Sequence, residues 1–232
     1  MNISPSAQQQ PETVGIRSGK VRLALARHGE TVWHNGNRYA GGGSDIDLTP
    51  KGKDQAQVLA RWCVGFAPDA VISSPVRRAI ETATPCAVAA GVPLHIVEGL
   101  REVDFGLAEG RTIEELADID AAMVDRFKVN PAAHPFPGAE PPEHAADRAA
   151  DALRLIADQF DGAKLLVVAH NTLLRLAICR LLDLPVGRYR EIFPRLENAA
   201  IHEMVVPADK NRVSSLISLN VQVRGGPDAS SR

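Results

Sequence analysis

Short apolar runs alternate along the chain with longer segments in which apolar residues recur at helical spacing. The runs are of strand length and predict six strands, at residues 21–26, 70–73, 94–97, 164–169, 200–206 and 215–219. Strands that alternate with helical segments are typical of a parallel sheet covered by helices. We therefore predict an α/β fold, a three-layer αβα sandwich with a mostly parallel central sheet.

The helical segments carry start signals. Thr49-Pro50 and Ser74-Pro75 each combine a capping hydroxyl with a proline suited to a first turn, and so predict two helix starts. Further helices are predicted at residues 112–127, 143–160 and 172–182, and a loop with five prolines at residues 130–142. We expect residues 103–150 to form a small helical cap, inserted after the third strand.

Both ends of the chain are polar. Residues 1–19 and 223–232 hold too few apolar side chains to offset the entropy cost of ordering them, so we expect two disordered tails. The domain itself is predicted to span residues 20–222. The N-terminal segment also lacks the apolar core of a signal peptide, which favours a cytoplasmic location.

Composition and charge argue against several classes of protein. With 45% apolar and 23% charged residues, the 232-residue chain has the balance of a globular protein. A net charge of −2 without a basic stripe argues against a nucleic-acid partner. No apolar run approaches the roughly 18 residues of a membrane span, so no membrane association is expected. The three cysteines lack C-x-x-C spacing, and we expect neither a metal nor a cofactor.

Two histidines directly follow predicted parallel strands. The first strand leads into Arg27-His28-Gly29-Glu30-Thr31, and the fourth leads into His170, followed by a helix start at Asn171-Thr172. Open α/β sheets bind ligands at the carboxyl ends of their strands. Arg27 has donors that match phosphate oxygens, Gly29 would let the backbone approach a ligand, and the helix start favours an anion beside His170.

Arg78 and Glu102 follow the second and third strands. Arg78 is predicted to lie one turn into the next helix as a further phosphate ligand, whereas its neighbour Arg77 is interpreted as a solvated charge. Glu102 would supply a proton donor, and a bound phosphate would raise its proton affinity. The alternative for Glu102 is an ion pair with an arginine, and Asp104 is interpreted as structural.

These residues resemble the histidine phosphatase superfamily, also called the phosphoglycerate mutase-like family. The resemblance covers residues 21–219 and rests on R-H-G-E-T, S-S-P-x-x-R-A-x-x-T-A, L-R-E-x-x-F-G-x-x-E-G and the late histidine, in the family's order. It implies that His28 is the nucleophile, that Glu102 protonates the leaving oxygen, and that Arg27, Arg78 and His170 hold the phosphoryl oxygens.

The sequence departs from the family pattern near the predicted substrate-binding residues. The family commonly has Asn after the tryptophan, whereas Trp33 is followed by His34 and then Asn35, and either could contact phosphate. Arg38 and Gly41, in the loop that follows, are predicted to contact substrate. Asn171 stands where the family usually has glycine, and it either contacts phosphate or caps the helix.

A different phosphatase chemistry is rejected on local grounds. Asp45-x-Asp47-x-Thr49 spells the D-x-D-x-T pattern that resembles haloacid dehalogenase phosphatases, which use an aspartate nucleophile and magnesium. That motif requires an apolar strand directly before the first aspartate, whereas glycines precede it here. We interpret Asp45 and Asp47 as loop residues that lead to the Thr49 cap.

Within the family the activity is either hydrolysis or a mutase reaction. A mutase grips a second acidic group on its substrate, and residues 103–150 contain ten acidic side chains against four basic ones. We therefore expect hydrolysis of a small phosphomonoester, although an acidic outer face would weaken this argument. A non-catalytic module that binds phosphorylated ligands is the alternative of another class. The pattern leaves the oligomeric state open and is compatible with a homodimer.

Overall fold

A central six-stranded sheet organises the chain, and the computed structural model describes residues 20–223 of it. The predicted tails lie outside the described residues, except for Val223. The predicted α/β fold is confirmed. The strands are β1 Lys20–Arg27, β2 Ala70–Ser73, β3 Leu94–Ile96, β4 Lys164–Ala169, β5 Ile201–Pro207 and β6 Ser215–Val221.

The strand order is β3-β2-β4-β1-β5-β6. The first four strands in that order run parallel, while β5 is antiparallel to β1 and β6 is antiparallel to β5. The sheet is therefore mostly parallel with an antiparallel extension. Since β1, β2 and β4 are adjacent and parallel, the residues that follow them gather at one edge of the sheet.

Helices cover both faces of the sheet. They are α1 Pro50–Phe66, α2 Arg77–Ala90, α3 Ile113–Ile119, α4 Ala121–Val129, α5 Pro142–Gln159, α6 Asn171–Leu181 and α7 Tyr189–Ile192. Alternate residues of β1 face opposite layers, as strand geometry requires. Leu23 and Leu25 pack in the core beneath α5 and α6, whereas Ala24 and Ala26 pack in the core beneath α1 and α2.

One of the two predicted helix starts is confirmed and the other is displaced. The hydroxyl of Thr49 accepts the amide of Gly52 at 3.0 Å and caps α1 as predicted. Helix α2 begins at Arg77, with Val76 at the N-cap, and not at Ser74-Pro75. The Ser74 hydroxyl instead accepts the amide of Val76 and contacts His170, so it is engaged by the turn and by the site.

The segment between β3 and α5 contains two helices where one was predicted. Asp120 separates α3 from α4, because its carboxylate accepts the amide of Met123 at 2.9 Å and starts a new helix. The proline-rich loop after α4 buries Phe136, which stacks on Phe127 with ring centroids 4.1 Å apart. Helix α5 packs against β1 and β5, so its residues belong to the covering layer.

Candidate active site

The two predicted histidines meet at the carboxyl edge of the sheet. His28 follows β1 and His170 follows β4, and the two strands pair with Arg27 opposite Ala169. Both side chains are buried, and their ring centroids lie 5.2 Å apart. Two imidazoles that are 142 positions apart in the sequence therefore share one site.

The hydrogen bonds of His28 define its tautomer. Nδ1 lies 2.7 Å from the Gly29 carbonyl, which only accepts, so Nδ1 carries the proton. Nε2 is then the unprotonated nitrogen, and its lone pair accepts from Nε of Arg78 at 3.2 Å. Burial, followed by the charges of Arg78 and nearby cations, holds the pKa of His28 well below its ordinary value. A neutral, oriented imidazole results.

Gly29 is required by packing against α1. A Cβ on Gly29 would lie 2.5 Å from the carbonyl oxygen of Gly52. The Gly29 amide donates to the hydroxyl of Thr82 at 3.0 Å, and that hydroxyl donates to the Arg78 carbonyl at 2.8 Å. The close approach that the structure shows at Gly29 is one of two backbones, and it fixes the carbonyl that orients His28.

Arg78 is the most constrained side chain of the site. It is fully buried, at the second position of α2, and its guanidinium donates to the carbonyls of Ser44, Ala40 and Gly41 at 2.9 to 3.1 Å as well as to His28. Burial lowers its pKa. The loop that carries these carbonyls therefore holds a positive charge beside Nε2 of His28.

Arg27 and His34 lie on the other side of His28. Arg27 donates to the Leu196 carbonyl at 2.9 Å and lies 2.5 Å from Nε2 of His34, and its buried Nε has no partner among the described residues. Nδ1 of His34 accepts the Thr31 amide at 3.0 Å. Burial and the neighbouring Arg27 lower the pKa of His34 to about 4. His34 therefore contacts Arg27 within the site.

Glu102 lies six residues beyond the end of β3 and reaches the start of α6. Its Oε1 accepts the amides of Val103 and Leu173 at 2.9 and 2.8 Å, and its Oε2 accepts the amide of Thr172 at 3.1 Å. The amides expected to attract a ligand beside His170 are thus bound by this carboxyl. Burial raises the pKa of Glu102 against the opposing effect of these amides and Arg78, so no bound phosphate is needed for the upward shift.

His170 is held by Ser74. Its Nε2 lies 2.7 Å from the Ser74 hydroxyl, whose oxygen already accepts the Val76 amide, so the hydroxyl proton is available for Nε2. Nδ1 would then carry the imidazole proton, and it is buried without a partner among residues 20–223. Burial, with Arg78 and Arg27 nearby, keeps the pKa of His170 well below its usual value.

A cavity of about 320 Å³ opens beside these groups. Arg27, His28, His34, Glu102 and Asn171 line it. The remaining lining residues are Thr31, Trp33, Asn37, Arg38, Tyr39, Ala40, Phe105, Ile113, Phe127, Lys128, Thr172, Arg175 and Arg190.

Several predicted substrate-binding residues are engaged elsewhere. Asn35 is exposed and does not line the cavity, whereas Asn37, at φ 50° in the same turn, does. The amide of Gly41 donates to Glu109 at 2.9 Å, outside the cavity. Arg38 lines the cavity but donates twice to Glu115, both times at 2.8 Å. A loop sequence does not reveal which of its residues turn inward.

Asn171 lines the cavity and also accepts a hydrogen bond from the backbone of a neighbouring segment. It is the first residue of α6, and its side-chain oxygen accepts the Leu196 amide at 3.2 Å. The sequence left its role open between phosphate contact and helix capping. The observed bond ties α6 to the segment that also accepts from Arg27.

Three cavity residues that lie on helices were not predicted from the sequence. Lys128 lies on α4, Arg175 on α6 and Arg190 on α7, a helix that was not predicted. No motif marks them, since each is one cation among many. Helical position alone could have placed Arg175 one turn after Asn171, facing the same side.

The rejected D-x-D-x-T pattern lies away from the cavity. Asp45 and Asp47 are exposed and pair with Arg77, which is 54% exposed and also bonds Glu81. Within residues 20–223, no three or more His, Cys, Asp or Glu side chains cluster where they could hold a metal ion. No helix of this part of the chain is long and apolar enough to cross a membrane.

A model of the histidine phosphatase superfamily, branch 1, matches residues 23–218. The chain belongs to the histidine phosphatase superfamily. The predicted family is thereby confirmed, over nearly the same residues that carried the resemblance. Its relatives bear the names of phosphatases and mutases, which supports an enzyme.

Three of these relatives illustrate the range of activities in their names. A candidate phosphoserine phosphatase of Hydrogenobacter thermophilus is 31% identical over 199 residues, covering 86% of this chain and 95% of its own. A probable phosphoglycerate mutase of Salmonella paratyphi C is 31% identical over 181 residues, covering 78% and 83%. The structure of an Entamoeba histolytica phosphoserine phosphatase with 3-phosphoglyceric acid has a TM-score of 0.73 at 29% identity, covering 87% and 98%.

Proposed function

We propose that this histidine phosphatase superfamily member hydrolyses a small phosphomonoester through a phosphohistidine on Nε2 of His28. The observation that carries the proposal is the tautomer of His28. Because Nδ1 donates its proton in a hydrogen bond to the Gly29 carbonyl, Nε2 carries the lone pair that would attack phosphorus once a substrate displaces the hydrogen bond from Arg78. The depressed pKa of His28 keeps that lone pair unprotonated at neutral pH.

In the first step, the bond from Nε2 to phosphorus forms while the bond from phosphorus to the ester oxygen breaks. Arg27, Arg78 and the unpartnered Nδ1–H of His170 would donate to the phosphoryl oxygens, where charge is spread in the transition state. Glu102 would give its proton to the leaving oxygen. Its Oε2 accepts a single amide, so that oxygen has room to carry the proton.

In the second step, water attacks phosphorus as the bond to Nε2 breaks, and the Glu102 carboxylate takes a proton from that water. His28 returns to its neutral form and inorganic phosphate leaves. We propose that no metal takes part, because the charges of Arg27 and Arg78 supply the stabilisation that a cation would provide. Full activity in the presence of EDTA is the expected result.

Transfer of the phosphoryl group to a second hydroxyl, as in a mutase, is the alternative function. It is favoured by the cations on the outer part of the cavity, Lys128 and Arg190, which could hold a second acidic group. Product analysis separates the two functions. Hydrolysis releases phosphate in proportion to substrate lost, whereas a mutase yields an isomeric phosphoester.

The test combines turnover with trapping. Wild-type protein should release nitrophenol from p-nitrophenyl phosphate, and His28→Ala should abolish the release. The matched control is His144→Ala, an exposed histidine on α5. An alkaline quench during turnover should trap an acid-labile phosphoryl group on the wild type. Tight phosphate binding without nitrophenol release would instead indicate a non-catalytic binding module.

A further inference from the structure

The cavity holds more positive charge than one phosphoryl group requires. Beyond Arg27, its lining includes Lys128, Arg175 and Arg190, whereas Glu102 is the single carboxylate among the described lining residues and accepts hydrogen bonds from amides. Arg27 and the adjacent Arg78 already match the two negative charges of a phosphomonoester. The other three cations have no counterpart in that group.

These three cations are also free of ion pairs within the described residues. No Asp or Glu oxygen in residues 20–223 lies within 4.0 Å of the side-chain nitrogens of Lys128, Arg175 or Arg190. Arg38, in the same lining, shows the contrast, because Glu115 neutralises it with two hydrogen bonds of 2.8 Å. The positive charges of the three cations are therefore not neutralised by a carboxylate of the described residues.

Neutral groups hold two of these cations in place. The guanidinium of Arg190 lies 5.3 Å from the ring centroid of Phe127, and that of Arg175 lies 4.9 Å from the ring centroid of Tyr189. Nη1 of Arg175 also donates to the Phe193 carbonyl at 3.2 Å. Aromatic faces and carbonyls orient a guanidinium and leave its net charge in place.

The aromatic support is itself fixed by packing. Phe127 is buried, stacks on Phe136 at 4.1 Å, and meets the edge of Tyr39 at 6.2 Å. Lys128 follows Phe127 directly on α4, so the same packing fixes the backbone that carries it. The two arginines and the backbone of Lys128 are thus pre-organised, which reduces the entropy cost of binding an anion.

The like charges of these cations repel one another. Burial is the main reason that the pKa of Arg175 lies below its usual value, and the nearby Arg190 adds to the shift. Burial lowers the pKa of Arg27 to about 10, with Arg175 among the contributing cations. An anion bound between these groups would relieve the repulsion.

We infer that the leaving group of the substrate carries a second anionic group, a carboxylate or a phosphate, that Lys128 and Arg190 bind with support from Arg175. The inference rests on the proposed phosphomonoesterase function and narrows its substrate class. It also corrects the charge argument drawn from residues 103–150. None of the ten acidic side chains of that segment lines the cavity, whereas Lys128, one of its four basic side chains, does.

The test compares substrates that differ by the second anion alone. For a carboxylate, the pair is 3-phosphoglycerate and glycerol 3-phosphate; for a phosphate, the pair is 1,3-propanediol bisphosphate and 3-hydroxypropyl phosphate. The wild type should prefer the doubly anionic member of one pair by about tenfold or more in kcat/KM, the size of one hydrogen bond between charged groups. The preferred pair identifies the anion.

Substitution of the cavity cations then tests whether they cause the preference for the doubly anionic substrate. Lys128→Met and Arg190→Met should each lower the kcat/KM ratio of the preferred pair by about tenfold. The matched controls are Arg126→Met and Arg188→Met, exposed cations that do not line the cavity, and both should keep the wild-type ratio. If either cavity variant folds poorly, the other variant and the wild-type ratio still decide.

The outcomes separate this inference from the proposed function. Hydrolysis of p-nitrophenyl phosphate with a wild-type ratio near one in both pairs would overturn the second anion and leave the phosphatase intact. A clear ratio that neither Lys128→Met nor Arg190→Met changes would overturn the assigned residues. No hydrolysis of any compound would overturn the proposed function, and the inference with it.

Discussion

Replacing Glu102 by Gln removes the proposed proton donor and keeps the shape of the side chain. Oε1 of Glu102 accepts from Val103 and Leu173, and a glutamine carbonyl oxygen can accept both bonds. The NH₂ group would then replace Oε2 and face the amide of Thr172. Two donors would oppose each other at a buried position.

The substitution should affect both the free energy of unfolding and the turnover rate. A buried amide without an acceptor costs about 1–3 kcal/mol, so the free energy of unfolding should fall by that amount. Loss of a general acid costs about 10²–10⁴-fold in turnover, but only where the leaving oxygen needs a proton. An alkyl phosphate such as glycerol 3-phosphate should show the full loss. Nitrophenolate leaves without protonation, so p-nitrophenyl phosphate should lose much less.

The assay measures kcat for both substrates, with urea unfolding to confirm that the variant is folded under assay conditions. The matched control is Glu114→Gln, an exposed carboxylate on α3 that should leave both rates unchanged. Equal losses on the two substrates would refute the acid role. They would mean that Glu102 serves to bind the first amides of α6 and to place the nearby groups.

Arg78→Ala should lower kcat/KM by about 10²-fold or more, because Arg78 is a proposed phosphate ligand. Arg77 is half-exposed and pairs with surface carboxylates, so Arg77→Ala should change kcat/KM less than about twofold. The opposite order would contradict the assignment of Arg78 as the phosphate ligand. The pH profile of kcat/KM should rise through a pKa below 6.5, as His28 loses its proton, and fall through a pKa above 4.5, as Glu102 loses its own. A profile whose rising limb lies above neutral pH would exclude the role of His28. His202 is buried, and its pKa in the folded protein is lowered to about 4. As the pH falls, the unfolded state therefore protonates this histidine before the folded state does. The stability that this histidine contributes above pH 6.5 is lost as the pH falls below 6.5. Between pH 6.5 and about 5 the loss from this residue is about 2 kcal/mol; urea unfolding of His202→Asn should show a flatter pH dependence, and an unchanged slope would contradict the argument.

Strand positions were predictable from the sequence because the sheet core is apolar on both faces. Strand β1, predicted at residues 21–26, spans Lys20–Arg27, and β4 was predicted at its observed bounds. Strand ends in a parallel sheet share an edge, so His28 and His170 could be brought together without coordinates. The same rule placed Arg78 near them, although its helix begins later than expected.

The hydrogen bonds that orient these residues could not be predicted from the sequence. The reach of Glu102 to the amides of α6 depends on a 3₁₀ turn at Glu98–Leu100, and the use of Ser74 by His170 depends on the spacing of β2 and β4. The break at Asp120 was available in principle, since an aspartate that caps a helix is a known signal. A count of the charges in a segment does not show which side chains face the cavity, so it could not single out Lys128.

The two groups of cations in and beside this cavity are held by different means, and the difference bears on what each can do. Arg27 is fixed by the carbonyl of Leu196, whereas Arg78 is fixed by the carbonyls of Ser44, Ala40 and Gly41 and donates to Nε2 of His28. Such bonds suit a charge whose position must not change during the displacement at phosphorus. Lys128 is exposed, so its side chain can adjust to the length of a leaving group. On the proposed function, the inner cations would fit any phosphoryl group, and discrimination between substrates would fall to the outer ones.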